Sequence, residues 1–180
     1  FFFFFFPSYV FIFFHCPACP IGSWGNVEAS VDYKDNQVIG QRTCLNCLAG
    51  KWSETEGLAD QNLCVPCGIG KISKYVGATS EDTCALCAAG FFSDEQSRIG
   101  DTGDCDPCPA GTSSSVEGLS TIDDCEQCVA GKFNNVPGLQ ECKNCLRGRY
   151  GVQVGADEFS DCAACPTGKF LSTYGSTDLT

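Results

Sequence analysis

Sixteen cysteines are the residues of this 180-residue chain whose type and spacing could do chemistry. They form eight C-x-x-C pairs that open at Cys16, Cys44, Cys64, Cys84, Cys105, Cys125, Cys142 and Cys162. Three chemistries use such pairs. Two pairs about 15–20 residues apart can hold a tetrahedral zinc through four thiolates. A single pair can cycle between dithiol and disulfide, as "CPAC" at 16–19 would, when a strand–helix setting stabilises a thiolate. Structural disulfides can replace the core of a small extracellular module. Histidine-based catalysis has little to work with, because His15 is the only histidine.

The elements around the pairs separate these readings. Three residues after the second cysteine of every pair stands a glycine: Gly22, Gly50, Gly70, Gly90, Gly111, Gly131, Gly148 and Gly168. Two residues further on is an aromatic in six units, Trp24, Trp52, Phe92, Phe133, Tyr150 and Phe170, with Ile72 and Ser113 in the other two. A second glycine follows the pair by ten residues at Gly57, Gly77, Gly118, Gly138, Gly155 and Gly175. A period near 20 residues predicts an array in which each unit contacts mainly its neighbours. The placed glycine predicts a backbone with φ > 0 or one pressed against a cross-link. The aromatic predicts a flat contact with the disulfide or with the next unit.

Composition favours cross-links over a core. Beyond residue 14, Leu, Ile, Val and Phe make up 31 of 166 residues, and the chain carries a net charge of −11. So few large apolar residues with so much charge would leave a chain disordered unless something else restrained it. Closing a loop of this size stabilises by about 3 kcal/mol in the loop-entropy model. Zinc is the alternative reading, as an intracellular interaction module. The uniform spacing marks no pairs as partners, and no basic patch suits a nucleic-acid-binding zinc array. The predicted fold class is therefore small disulfide-rich repeats in an elongated tandem array, with short β-ribbons and turns and little helix. No long alternating run predicts an extended sheet.

Residues 1–15, with nine phenylalanines in the first fourteen, read as an apolar leader or a translated segment foreign to the protein. Residues 16–43 form a first repeat with a longer loop, so "VEASVDYKDNQVI" should bulge outwards. Residues 44–161 hold six tandem repeats, and 162–180 a last repeat expected to be cut short. The acidic group Asp94, Glu95, Asp101, Asp104, Asp106, Glu117, Asp123, Asp124 and Glu126 reads as solvated loops. No cofactor is expected, beyond weak calcium binding at "DTGDCD". No Asn-x-Ser/Thr acceptor occurs, while "GTSSS" (111–115) could take O-linked sugar.

"CPAGTSSSVEGLSTIDDCEQC" and "CPTGKFLSTYGST" resemble the ephrin-receptor-like cysteine-rich repeat, which is similar to the first loop of tumour-necrosis-factor-receptor modules. Repeats of this kind also occur in cysteine-rich surface proteins of protists. The resemblance spans roughly residues 16–175, although proline follows the second cysteine only at Pro20, Pro109 and Pro166. That departure favours a divergent protist or algal surface protein over a vertebrate receptor. The resemblance implies that each second cysteine bonds the first cysteine of the next pair: Cys19–Cys44, Cys47–Cys64, Cys67–Cys84, Cys87–Cys105, Cys108–Cys125, Cys128–Cys142 and Cys145–Cys162. Cys16 and Cys165 would then find partners outside this sequence. The competing scheme closes a bridge inside each C-x-x-C. The functional expectation is a non-catalytic, secreted or cell-surface repeat region, serving as spacer, adhesion or ligand-binding ectodomain. Its partner would be an extracellular protein, a glycan or another copy, with no nucleic acid, and membrane attachment would come only through other parts of the parent protein.

Overall fold

The structure, a computed structural model, describes residues 18–32 and 37–178. The chain at the closing cysteine of each disulfide-closed loop folds back on the loop's start as a two-stranded antiparallel ribbon. Six of these ribbons are two residues long: Lys51–Trp52 with Val65–Pro66, Lys71–Ile72 with Ala85–Leu86, Phe91–Phe92 with Asp106–Pro107, Thr112–Ser113 with Glu126–Gln127, Lys132–Phe133 with Lys143–Asn144, and Arg149–Tyr150 with Ala163–Ala164. One strand always follows the placed glycine, and the other is the interior of the next C-x-x-C. Those two interior residues therefore lie in a strand.

The first loop departs from the prediction of short ribbons alone. Strands β1 (Ser23–Asp32) and β2 (Gln37–Asn46) pair antiparallel over ten residues, with Val31 opposite Val38 and Gly25 opposite Cys44. The physical signal is a period-two alternation, Val27, Ala29 and Val31 against Glu28, Ser30 and Asp32, inside what reads as a loop insertion. The extra residues of this loop thus extend the ribbon that every other loop also has.

The only helical pieces among the described residues are single 3-10 turns just before a closing cysteine: Gln61–Leu63, Glu81–Thr83, Ile122–Asp124 and Phe159–Asp161. Short polar residues cap them. Asp60 accepts from the Asn62 amide and Ser80 from the Asp82 amide. Asp124 accepts from the amides of Ser120 and Thr121, and Asp161 from those of Asp157 and Glu158. The loop from Cys128 to Cys142, the shortest in the array, has no such turn. No described helix is long and apolar enough to cross a membrane.

Candidate functional site

Seven disulfides join Cys19–Cys44, Cys47–Cys64, Cys67–Cys84, Cys87–Cys105, Cys108–Cys125, Cys128–Cys142 and Cys145–Cys162, with Cα atoms 5.6 to 5.9 Å apart. Within a pair, the two cysteines therefore serve different loops. Cys165 is a free, half-buried thiol, and Cys16 lies outside the described residues. Sulfur held in a disulfide offers no thiolate, so the zinc reading loses fourteen of its ligands. No group of three or more His, Cys, Asp or Glu among the described residues is placed to hold a metal.

Each loop leans on the disulfide of the next. Trp24 packs on buried Cys47, Leu58 and Cys64, and Phe92 on Cys108, Leu119 and Cys125. Phe133 covers Cys145, Ala156 and Cys162 in the same way. Ile72 takes the aromatic's place in its own loop, lying with Phe91 against Cys87 and Cys105. Short parallel bridges follow the same path: Trp24 to Leu58, Trp52 to Ala78, Phe92 to Leu119 and Tyr150 to Ser176. Phe170 breaks the rule, because it is 84% exposed. Ser113 departs differently: its hydroxyl lies 3.2 Å from the Cys142 sulfur, a polar substitute for the missing ring.

The glycines make a second coupling that reaches two loops ahead. All eight placed glycines have φ between +72° and +86°, a region that side chains disfavour. At six of them a Cβ would meet a backbone carbonyl two loops on, no farther than the 2.6 Å found between Gly111 and Gly155. The others pair Gly22 with Gly77, Gly50 with Ser97, Gly70 with Gly118, Gly90 with Gly138 and Gly131 with Gly175. The close approach is therefore to a carbonyl rather than to the cross-link. Gly148 and Gly168 share the conformation but face open space.

Backbone hydrogen bonds complete the ladder. The amide of each later second cysteine donates to the placed glycine of the loop before, as in Cys67 to Gly50, Cys87 to Gly70 and Cys128 to Gly111. The second glycine returns a bond to the second cysteine that opens the preceding loop, as in Gly77 to Cys47, Gly118 to Cys87 and Gly155 to Cys128.

A further set of residues is absent from the sequence reading. Ser53, Ser73, Ser93, Ser114 and Asn134, each three positions after the placed glycine, are all buried. Their amides donate to the next loop at Ala78, Arg98, Leu119, Leu139 and Ala156. Their side chains turn the chain outward: Ser53 accepts from the Thr55 amide, Ser73 from Tyr75, Ser114 from Val116 and Asn134 from Val136. Asn134 also donates 2.6 Å to the Thr112 carbonyl. The signal was present as Ser or Asn at constant spacing from the glycine, obscured because isolated serines are common in turns. The residue each of them steers, Thr55, Tyr75, Val116 or Val136, is exposed at a loop tip. Burial also removes Ser114 from the "GTSSS" sites that sugar could reach, leaving Ser115 as the exposed serine there.

Part of the acidic stretch is partnered. Arg98 donates to both oxygens of Asp106 at 2.6 and 2.8 Å, and those bonds hold its guanidinium above its ordinary pKa. Asp104 accepts from the Asp101 amide at 2.8 Å, and Asp101 pairs with Lys74 at 2.6 Å. The carboxylates of "DTGDCD" thus each have a protein partner.

Residues 119–162 match the family model described as tyrosine-protein kinase ephrin type A/B receptor-like. The match runs from the seat of Phe92 at Leu119 to the closing cysteine of the seventh loop. A comparison with curated proteins finds no match to this chain.

Proposed function

We propose that this chain is a non-catalytic, disulfide-braced repeat region of a secreted or cell-surface protein. It acts as a spacer that holds its loop tips at regular intervals for an extracellular protein, a glycan or another copy, with no resident metal. The observation that carries this reading is the coupling of each loop to the next. Rings rest on the following disulfide, and glycine, serine and cysteine amides bond forward and back. Such coupling makes a stiff column out of units too small to fold alone. Disulfides at this density persist in oxidising compartments, and the ephrin-receptor-like match supports the same surroundings.

Far-UV circular dichroism of the purified chain, with and without reductant and with a strong chelator, tests the reading. Reductant should abolish the ordered spectrum and chelator should leave it unchanged. Loss of structure on chelation alone would discard the extracellular assignment.

A further inference from the structure

The geometry points to an internal site of thiol–disulfide exchange at Cys128–Cys142, where a thiolate attacks the Cys142 sulfur. In five of the other six closed loops the closing cysteine is sealed: Cys64, Cys84, Cys105, Cys125 and Cys162 are all buried. Cys142 is only half-buried. The cause lies one loop back, where Ser113 stands in the position that Trp24, Phe92 and Phe133 use to cover the following bridge. In place of a ring there is a cleft of about 270 Å³, lined by Ser113, Glu126, Gln127, Lys132, Glu141 and Cys142 among others. Cys44 is also exposed, but it belongs to the first loop, which no earlier described aromatic precedes.

Exchange rates depend on which sulfur is reachable and on the charge around it. Cys128 is 1% exposed, so attack falls on Cys142. Lys132 offers a cation to the incoming thiolate, while Glu126 and Glu141 disfavour thiols that carry carboxylates. In the first step the thiolate bonds to the Cys142 sulfur and the S–S bond breaks, leaving its electron pair on Cys128. In the second step another thiolate attacks the mixed disulfide, releasing an external disulfide and the Cys142 thiolate. Both cysteines then take protons from water, so two electrons pass from two thiols to the bridge.

Opening this bridge leaves the column standing. Cys145 still donates to Gly131, Gly155 still donates to Cys128, and Phe133 keeps its seat on Cys145–Cys162. The shortest loop of the array, with a sequence separation of 14, becomes a local point of release.

Timed exposure of the intact chain to limiting 2-mercaptoethanol, followed by alkylation and peptide mapping, tests the assignment. Cys128 and Cys142 should be labelled at least ~10-fold faster than the cysteines of the bridges on either side, Cys108–Cys125 and Cys145–Cys162, because of these three only their bridge is reachable. Early samples should carry the mercaptoethanol adduct on Cys142 and not on Cys128. Ser113→Phe, which supplies the missing cover, should slow labelling to the rate of those neighbours. Equal rates for the three bridges, or an unchanged rate in Ser113→Phe with its other bridges intact, would overturn the proposal.

Discussion

Gly70 sits at φ +72° with the Gly118 carbonyl of a loop two further on against its α-carbon, whereas Gly148 sits at φ +76° with open space around it. The pair separates two costs that the same residue type hides. An alanine at Gly148 meets only the left-handed backbone penalty, about 1 kcal/mol. An alanine at Gly70 adds a clash with fixed backbone, and the total should reach about 3 kcal/mol or more. Denaturant unfolding of the oxidised variants should rank them in that order, and equal losses would refute the two-loop contact. Asp124 makes a pH-dependent contribution at the same scale. Amide bonds from Thr121 and Ser120 hold its carboxyl below the usual aspartate range. A lowered folded pKa adds stability above the unfolded value near ~3.9, and that stability is lost as pH falls through the folded value. Amide exchange in the 108–125 loop should show wild type ahead of Asp124→Asn near neutral pH, with the gap closing below about pH 4. A gap that persists undiminished into strong acid would contradict this.

At the scale of one loop, the buried polar residue after the ribbon does two jobs, and Asn134 allows them to be told apart. Its oxygen accepts from the Val136 amide and its nitrogen donates to Thr112 in the preceding loop. A serine, as found at 53, 73, 93 and 114, can keep the first bond but cannot reach the second. Asn134→Ser should therefore cost about 1 kcal/mol and Asn134→Ala about 2 kcal/mol, one net hydrogen bond apart. Denaturant midpoints of the two oxidised variants give the comparison, and an identical midpoint would mean that the bond between loops contributes nothing. Fourteen paired cysteines set the frame, but residues like this one fix how one frame stacks on the next.

For the molecule as a whole, the couplings reach one loop or two and no further among the described residues. Units joined only along a line make a column, whereas a compact chain of this length has a radius of gyration of about 16 Å. Small-angle scattering of the oxidised monomer should return a value well above that, with a distance distribution skewed to long separations. A radius close to the compact value would require contacts between distant loops that the ladder does not contain.

Much of this architecture was legible in the residues themselves. The eight placed glycines, the six aromatics and the regular C-x-x-C spacing announce a repeat, and a charged chain so poor in aliphatics must be held by something other than a core. Their spacing also left bridge partners undecided between neighbouring loops, zinc and closure within a pair. The resemblance to a known repeat proposed one pairing, and only the folded chain joins each sulfur to a particular partner. Other features depended on which loop lies against which, a relation that one-dimensional spacing does not contain. Sequence could assign Gly70 a left-handed backbone, but not the carbonyl of Gly118 against it. It could mark Ser113 as a missing ring, but not the bridge left open beside it, because a ring covers the disulfide of the following loop and not its own. It counted Phe170 with the other aromatics, although the folded chain leaves that ring exposed. Local rules fix what each unit is. The contacts between units are settled by stacking, where backbone carbonyls, buried hydroxyls and disulfides from three consecutive loops meet.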